Sequence, residues 1–194
     1  MIKSVREQQF ELRETIILDH AYKLMLEQGY EKMSMDQLAA QVGIAKMTVY
    51  QHFPSKEALA IAVIVRGMKQ VEETLTPVFD SPRPALERLH EVLSKGLEQR
   101  SKIWRIHLEL PPSAVIHNVA YQTQNARFLE HWERLIEQAK AEGAIAPTLS
   151  TLVLIRMFQI MYQTDYEDLL DSGKVTIETL IDTLMTVAIN GIKR

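Results

Sequence analysis

The sequence contains no cysteine, which excludes disulfide bonds, thiolate metal sites and catalysis by a thiol. It has no apolar run of the length that crosses a membrane, and its first residues lack the apolar core of a signal peptide. The 194 residues, of which 46% are hydrophobic and 24% charged, are enough to bury a real core. These features predict a soluble cytoplasmic protein of one or two domains.

Glycine-rich phosphate loops and the Gly-x-Ser-x-Gly motif of hydrolases are both missing. Six histidines are present, but their spacing does not put two metal ligands on one helical face. His107 is two residues from Glu109, and His117 is fourteen residues from His131. We therefore expect no enzyme, no metal site and no cofactor.

A surplus of positive charge is absent as well. The formal net charge is −3, and residues 1–60 hold seven Lys or Arg against eight Asp or Glu, which is about −1. A nucleic-acid-binding surface usually has a basic footprint, so here the basic residues would have to be sorted onto one face. Lys3, Arg6, Lys46 and Lys56 are the candidates. Such a face would neutralise few phosphates, and its non-specific affinity for DNA would be modest.

The most informative stretch, residues 33–59, reads as two short helices around a tight turn. Ser34, with Gln37 three residues later, forms a capping-box pattern that predicts a helix beginning directly after Ser34. Gly43 ends this helix, because only glycine adopts the left-handed turn conformation without steric cost. A second short helix is expected over residues 46–52.

The second helix has an inward side and an outward side. Val49 and Phe53 face inward at i, i+4, Pro54 stops the helix, and Ser55 can cap the next one. A helix, a short turn containing glycine and a second helix make up the helix-turn-helix plan, whose second helix can enter the major groove of DNA. The alternative is a helical hairpin that only packs against the rest of the protein.

On the helix-turn-helix reading, the groove-facing side consists of polar and flexible side chains. They are Lys46, Met47, Thr48, Tyr50, Gln51 and His52. Lysine and glutamine can reach base edges, and the threonine and tyrosine hydroxyls can reach phosphates.

At these residues the sequence resembles the TetR family of bacterial transcriptional regulators. The resemblance is carried by Gly43-Ile-Ala-Lys-Met-Thr-Val-Tyr-Gln-His-Phe-Pro-Ser-Lys-Glu-Ala-Leu59, preceded by Gly29-Tyr30 and by Met35-Asp-Gln-Leu-Ala-Ala40. It is specific over about the first sixty residues. Beyond them it rests on length and on the helical pattern.

The resemblance implies an N-terminal three-helix DNA-binding domain, residues 1–54, and a larger helical domain for effector binding and dimerisation, residues 55–194. By position, Thr48, Tyr50 and Lys56 resemble phosphate contacts, Lys46, Met47 and Gln51 resemble base-reading residues, and His52 resembles a residue near the DNA backbone. Ala45 stands where the family often has Ser or Thr, so the cap of the recognition helix is expected to be weak.

Periodicity predicts further helices at residues 8–27, 55–76, 85–100, 118–142, 149–170 and 176–192, and context predicts a buried helix at 103–110. Residues 1–6 read as a short flexible arm, and Pro77, Pro82 and Pro84 are expected to break the chain. Residues 103–110 alternate like a strand, but no partner strand is evident. The predicted fold is therefore all-α.

The last two helices have wide apolar stripes. The helix at 149–170 is apolar nearly all round, and the helix at 176–192 carries a stripe too wide for one packing partner. The simplest partner is the same helix pair of a second subunit, which predicts a homodimer with a four-helix interface.

The central helices carry aromatic, methionine and polar residues that together suit an effector pocket. They are Trp104, His107, Tyr121, Phe128, His131, Trp132, Met157, Met161 and Tyr162. The alternative is that these side chains simply fill the core. An apolar or aromatic compound is the effector that this composition favours.

The hypothesis from the sequence is a homodimeric repressor that leaves a palindromic operator when a small hydrophobic or aromatic effector binds. A second hypothesis keeps the DNA binding but replaces the effector with a protein partner. A third is an enzyme whose hairpin does not bind DNA.

Overall fold

The computed structural model describes residues 4–99, 106–107, 109–164 and 166–192, and ten α-helices lie wholly within these ranges. They are α1 (Val5–Gln28), α2 (Met35–Val42), α3 (Lys46–His52), α4 (Lys56–Phe79), α5 (Ala85–Gln99), α6 (Pro112–Ile116), α7 (Val119–Ala141), α8 (Thr151–Gln163), α9 (Glu167–Asp171) and α10 (Ile177–Ile192). The predicted all-α fold, with an N-terminal helix-turn-helix and a larger helical remainder, is confirmed. No helix in the described ranges is both long and apolar enough to cross a membrane.

The chain divides into two compact units, each with its own apolar core. Unit 1 comprises the described residues of Met1–Met68 and Lys102–Thr123, and unit 2 those of Lys69–Ser101 and Gln124–Arg194. The core of unit 1 is built around fully buried Ile17, Leu38, Val49 and Leu59. That of unit 2 includes Leu89, Leu93, Ile136 and Phe158.

Local signals set the bounds of the α2–α3 hairpin as the sequence predicts. Ser34 Oγ accepts the Gln37 N–H at 3.1 Å, and α2 begins at the next residue. Gly43 ends α2 in the left-handed conformation with φ 76°. The reciprocal half of the capping box is not formed, because the Gln37 side chain bonds Gln28 at 2.7 Å instead. Ala45 gives α3 no side-chain cap.

The predicted flexible arm is wrong from Ser4 onward, since α1 begins at Val5. Ser4 Oγ accepts the Glu7 N–H at 3.3 Å, and Glu7 Oε2 accepts the Ser4 N–H at 2.7 Å. These two bonds make a complete capping box that fixes the helix start. The helix therefore starts three residues earlier than the apolar periodicity indicated.

Two predicted boundaries in unit 2 are also wrong. Pro77 does not end the helix but lies in the last turn of α4. There the helix loses only the hydrogen bond that the backbone N–H of this residue would have donated. The single helix expected over 149–170 is split into α8 and α9. The Thr164 hydroxyl donates to the Ile160 carbonyl at 2.9 Å, and the Thr164 backbone is extended with ψ 133°. Such side-chain bonding competes with helix continuation.

Unit 1 gains a contact from a segment that is distant in sequence. The Glu109 carboxylate accepts the Tyr30 N–H and lies against Gly29. A Cβ at Gly29 would come within 3.1 Å of Glu109 Oε2, and its φ of +85° suits glycine. Of the predicted helix at 103–110, Ile106, His107 and Glu109 are helical, and residues 103–105 and 108 lie outside the described residues.

Candidate nucleic-acid interface

The seven residues of α3 separate into a buried side and an outward side. Val49 is fully buried, and Phe53 follows it into the core of unit 1. On the other side Met47 is 70% exposed and Tyr50 is 37% exposed, and Lys46 and Gln51 are exposed as well. Thr48 is half-buried at the edge of this face. The outward side of α3 therefore offers donors, acceptors and one flexible apolar side chain together.

An ion pair holds Lys46 on this outward face. Its Nζ lies 2.9 Å from both carboxylate oxygens of Asp36, the second residue of α2. The hydrogen bond to Asp36, reinforced by the carboxylate charge, raises the pKa of Lys46. Because its pKa is raised, Lys46 stays charged. A lysine ammonium has three N–H donors, so Lys46 retains donor capacity beyond the ion pair. The negative charge of Asp36 compensates the positive charge of Lys46 at this point of the surface.

Lys56, the first residue of α4, is held by neutral partners. Its Nζ donates to the Glu31 carbonyl at 2.9 Å and lies 4.5 Å from the centre of the Tyr30 ring. A cation over an aromatic face is attracted by the ring quadrupole. Burial, followed by the charges of Glu57 and Glu31, raises the pKa of Tyr30, so the ring stays neutral. Lys56 is therefore oriented by a carbonyl group and an aromatic ring, and among the described residues it forms no ion pair with a carboxylate.

His52 does not share the outward face, and this part of the prediction is wrong. Its side chain is only 2% exposed, and its Nδ1 lies 3.7 Å from Glu14 Oε1. The ring stacks on Phe10 of α1 with centroids 3.9 Å apart. His52 therefore packs α3 against α1. The sequence-based prediction missed Phe10, because its helical position shows no link to a residue 42 positions later.

Two of the predicted effector residues lie in unit 1. His107 Nε2 and the Tyr121 hydroxyl are hydrogen-bonded at 3.0 Å, and the rings lie 5.6 Å apart. Burial lowers the pKa of His107 and raises the pKa of Tyr121, so both are neutral near pH 7. Trp104 and the side chain of Tyr162 lie outside the described residues.

The other predicted effector residues lie in unit 2, mostly inside its core. Trp132 is 3% exposed and stacks on Phe158 with centroids 5.6 Å apart. Phe128, Met157 and Met161 pack against the same cluster. In this arrangement Trp132 fills the interior, as the alternative reading of the set expected.

His131, another member of the predicted set, lines two open grooves of unit 2. A groove of about 630 Å³ is lined by Glu72, Arg127, Glu130, His131, Glu133, Arg134 and Glu137. His131 Nε2 lies 3.4 Å from Glu72 Oε1, and its ring stacks on Phe79 at 5.0 Å. The charged lining differs from the apolar pocket that the composition suggested. Among the described residues, no three His, Asp or Glu side chains converge on a possible metal position.

The last long helices expose apolar side chains. Leu152 and Val153 are exposed at the start of α8, and Ile160 is exposed two turns later on the same face. On α10, Val187 is 70% exposed. Exposed apolar faces of this kind are typical of protein interfaces.

The stretch that contains the hairpin matches a known family. The family model described as "Bacterial regulatory proteins, tetR family" matches residues 17–63, which include α2 and α3. An uncharacterized HTH-type transcriptional regulator of Mycobacterium tuberculosis is 30% identical over 139 residues, or 69% of this chain. The chain spans 66% of that relative's length.

Solved structures share the whole fold at lower identity. FadR from Bacillus subtilis, in complex with stearoyl-CoA, has a TM-score of 0.77 and 21% identity, with 92% of this chain and 98% of FadR covered. AibR, in complex with isovaleryl coenzyme A and operator DNA, has a TM-score of 0.68 and 24% identity, with 90% and 97% covered. By its hairpin, its family match and its fold, the chain belongs to the TetR family of bacterial regulatory proteins.

Proposed function

We propose that the protein is a homodimeric transcriptional repressor that binds a palindromic operator through α3. The observation that carries this proposal is the outward side of α3, where Lys46, Met47, Tyr50 and Gln51 are exposed opposite the buried Val49. A recognition helix needs a buried face that fixes its position and an outward face that can reach base edges. No catalytic role is proposed, and the protein acts where the DNA is, in the cytoplasm.

The outward residues take different parts in this proposal. Lys46, Met47 and Gln51 contact base edges: the lysine and the amide through hydrogen bonds, the methionine against a thymine methyl group. Thr48, Tyr50 and Lys56 contact phosphates and fix the register. The orientation of Lys56 by Glu31 and Tyr30 supports this role, because a fixed cation loses less entropy on binding. His52 contributes by packing rather than by touching DNA.

Dimerisation uses the apolar faces of α8 and α10. Leu152, Val153, Ile160 and Val187 are exposed in the single chain, and their burial against a second copy would remove apolar surface from water. A two-fold dimer presents two recognition helices about 34–36 Å apart, the spacing of successive major grooves. In the proposed organisation residues 1–54 read DNA, and residues 55–194 dimerise and bind the effector.

The repressor is released when a small hydrophobic or aromatic effector binds within the larger domain. The effector must prefer a conformation whose two recognition helices no longer match the groove spacing, and it shifts the equilibrium only by its differential affinity. The similarity to FadR and AibR, whose structures hold stearoyl-CoA and isovaleryl coenzyme A, supports including acyl thioesters among the compounds tested.

The test is a selection of bound fragments from random and host genomic DNA with the purified protein, at two salt concentrations. We expect a palindromic motif that survives the higher salt, because base readout depends less on counterion release than phosphate contacts do. Only salt-sensitive binding without a motif, or no binding, would contradict the proposal. The recovered operator then serves to screen aromatic compounds and acyl thioesters for release.

A further inference from the structure

A small polar recess in unit 2 is built around a buried arginine. It has a volume of about 310 Å³ and lies where the end of α4, the start of α5 and the middle of α7 meet. Its lining is Phe79, Asp80, Ser81, Arg88, His131, Arg134, Leu135 and Gln138. The recess is unrelated to the outward face of α3, and no step of the proposed DNA binding uses it.

Arg88 is 3% exposed, and its hydrogen bonds in the structure go to neutral groups. Its Nη1 donates to the Phe79 carbonyl at 2.6 Å, and its Nη2 donates to Gln138 Oε1 at 2.6 Å. The Nε atom is buried without a hydrogen-bond partner. Across the described residues, no carboxylate lies within 4.0 Å of the guanidinium nitrogens. Arg88 is thus a buried positive charge without a paired negative one.

A charge in this position is costly, because burial removes its hydration while neutral acceptors compensate it only partly. The Phe79 carbonyl, at the end of α4, supplies part of a helix dipole. The hydrogen-bond chain that begins at Arg88 ends on a negative group at Glu142, whose Oε1 accepts the Gln138 Nε2 at 3.2 Å. Glu142 is itself engaged, because its other oxygen accepts the Ala85 N–H at 2.7 Å. Direct compensation of Arg88 therefore needs a further anion.

The other groups of the recess favour an anion as well. Arg134 is exposed, with its Nη2 3.6 Å from Asp80 Oδ1 and 2.7 Å from His131 Nδ1. The two arginines and the one aspartate of the lining together carry a formal charge of about +1. The Ser81 hydroxyl adds a further polar group. The lining thus matches one negatively charged group that accepts several hydrogen bonds.

We propose that this recess binds the oxyanion group of a small molecule, a carboxylate or a phosphate, with Arg88 as its buried partner and Arg134 at its mouth. Guanidinium groups suit both anions, because their fixed donors match pairs of oxygen atoms. The proposal does not rest on DNA binding, since it is tested on the protein alone.

The experiment measures thermal unfolding of the full chain in sodium acetate, sodium phosphate and sodium chloride at matched ionic strength. A ligand that binds the folded state raises the midpoint as its concentration increases. We expect acetate or phosphate to raise the midpoint above that in chloride. The anion with the larger rise identifies the preferred group, and isothermal titration with that anion gives its dissociation constant.

Variants test whether the recess is responsible. Arg134→Gln should weaken binding of the anion about tenfold, the effect of losing one charge-assisted hydrogen bond. Arg127→Gln removes the same charge from the same helix outside the recess, and it should bind the anion like the original protein. Arg88→Met should abolish the response. If Arg88→Met does not fold, the comparison of Arg134→Gln with Arg127→Gln still decides whether the recess binds the anion.

Two results would overturn the proposal. One is a midpoint that neither acetate nor phosphate raises above its value in chloride. The other is an equal rise in Arg134→Gln and the original protein, which would mean that the anion binds elsewhere and that Arg88 only caps α4. Neither result bears on the operator selection, so failure here and failure of the proposed function remain distinct.

Discussion

The α2–α3 hairpin and the predicted effector residues differ in how far apart in the sequence their members lie. The hairpin is one continuous stretch whose caps, turn and buried side chains are specified locally, and its outward residues lie together. The predicted effector residues come from several helices, and the structure distributes them between the two units. His107 and Tyr121 pair in unit 1, whereas Trp132 lies in the core of unit 2. A site on one short segment is therefore readable from sequence, and a pocket built from distant helices is not.

The largest expected effect tests whether the central aromatic residues fill the core. Trp132→Ala should lower the free energy of unfolding by about 3–5 kcal/mol, because it leaves a cavity beside Phe158. Met47→Ala, on the exposed face of α3, should change it by less than about 0.5 kcal/mol. Denaturant unfolding of both variants measures the difference. A small loss in Trp132→Ala would instead indicate that this side chain lines a cavity.

The next effect tests the assignment of the outward face. Lys46→Ala combined with Tyr50→Phe should weaken binding to the selected operator by about 10- to 100-fold, with fold and oligomeric state retained. Tyr22→Phe with Lys23→Ala makes the same chemical change on α1, outside the hairpin, and should leave the affinity unchanged. A fluorescence anisotropy titration compares them. Equal affinities of the two double variants would remove α3 from the interface.

A smaller effect concerns the missing cap of α3. Ala45→Ser should stabilise the protein by about 0.5–1 kcal/mol, because the new hydroxyl can accept the Met47 N–H, whereas the Thr48 N–H already donates to the Ala45 carbonyl at 2.8 Å. Ala40→Ser makes the same substitution at an exposed interior position of α2 and should be neutral or slightly destabilising. Thermal unfolding distinguishes the two. A loss of stability in Ala45→Ser would show that α3 does not begin as described.

The smallest effect concerns the ion pair on the outward face. Asp36→Asn should raise affinity for non-specific DNA about threefold and steepen its salt dependence by about one unit per subunit. A random duplex offers Lys46 no base pattern to read, so without Asp36 its charge becomes available to a phosphate instead. Asp19→Asn breaks another ion pair of unit 1, the one with Arg66 at 2.8 Å, with the same change in charge. Salt titrations with a random duplex compare the two. Identical slopes would mean that Lys46 does not contact phosphates.

A feature of this fold was predictable when the residues that determine it lie close together in the sequence, and it was missed when they lie far apart. Ser34 and Gly43 act within four residues of their own positions, so the bounds of α2 were predictable. His52 was placed wrongly because its burial depends on Phe10, a residue of another helix. At Thr164 the side chain competes with the backbone, which an apolar pattern does not register. Arg88 was not singled out at all, because nothing in its local sequence marks it as buried.

The bond between Glu109 and the Tyr30 N–H bears on how such proteins exchange parts during evolution. The carboxylate that serves the loop between α1 and α2 lies 79 residues further along the chain. A recombination event that replaced only the N-terminal stretch would join a new loop to the old carboxylate, and any residue larger than glycine at the position of Gly29 would meet it. Working chimeras with relatives should therefore take the loop and Glu109 from the same parent, which a single crossover placed after Glu109 achieves.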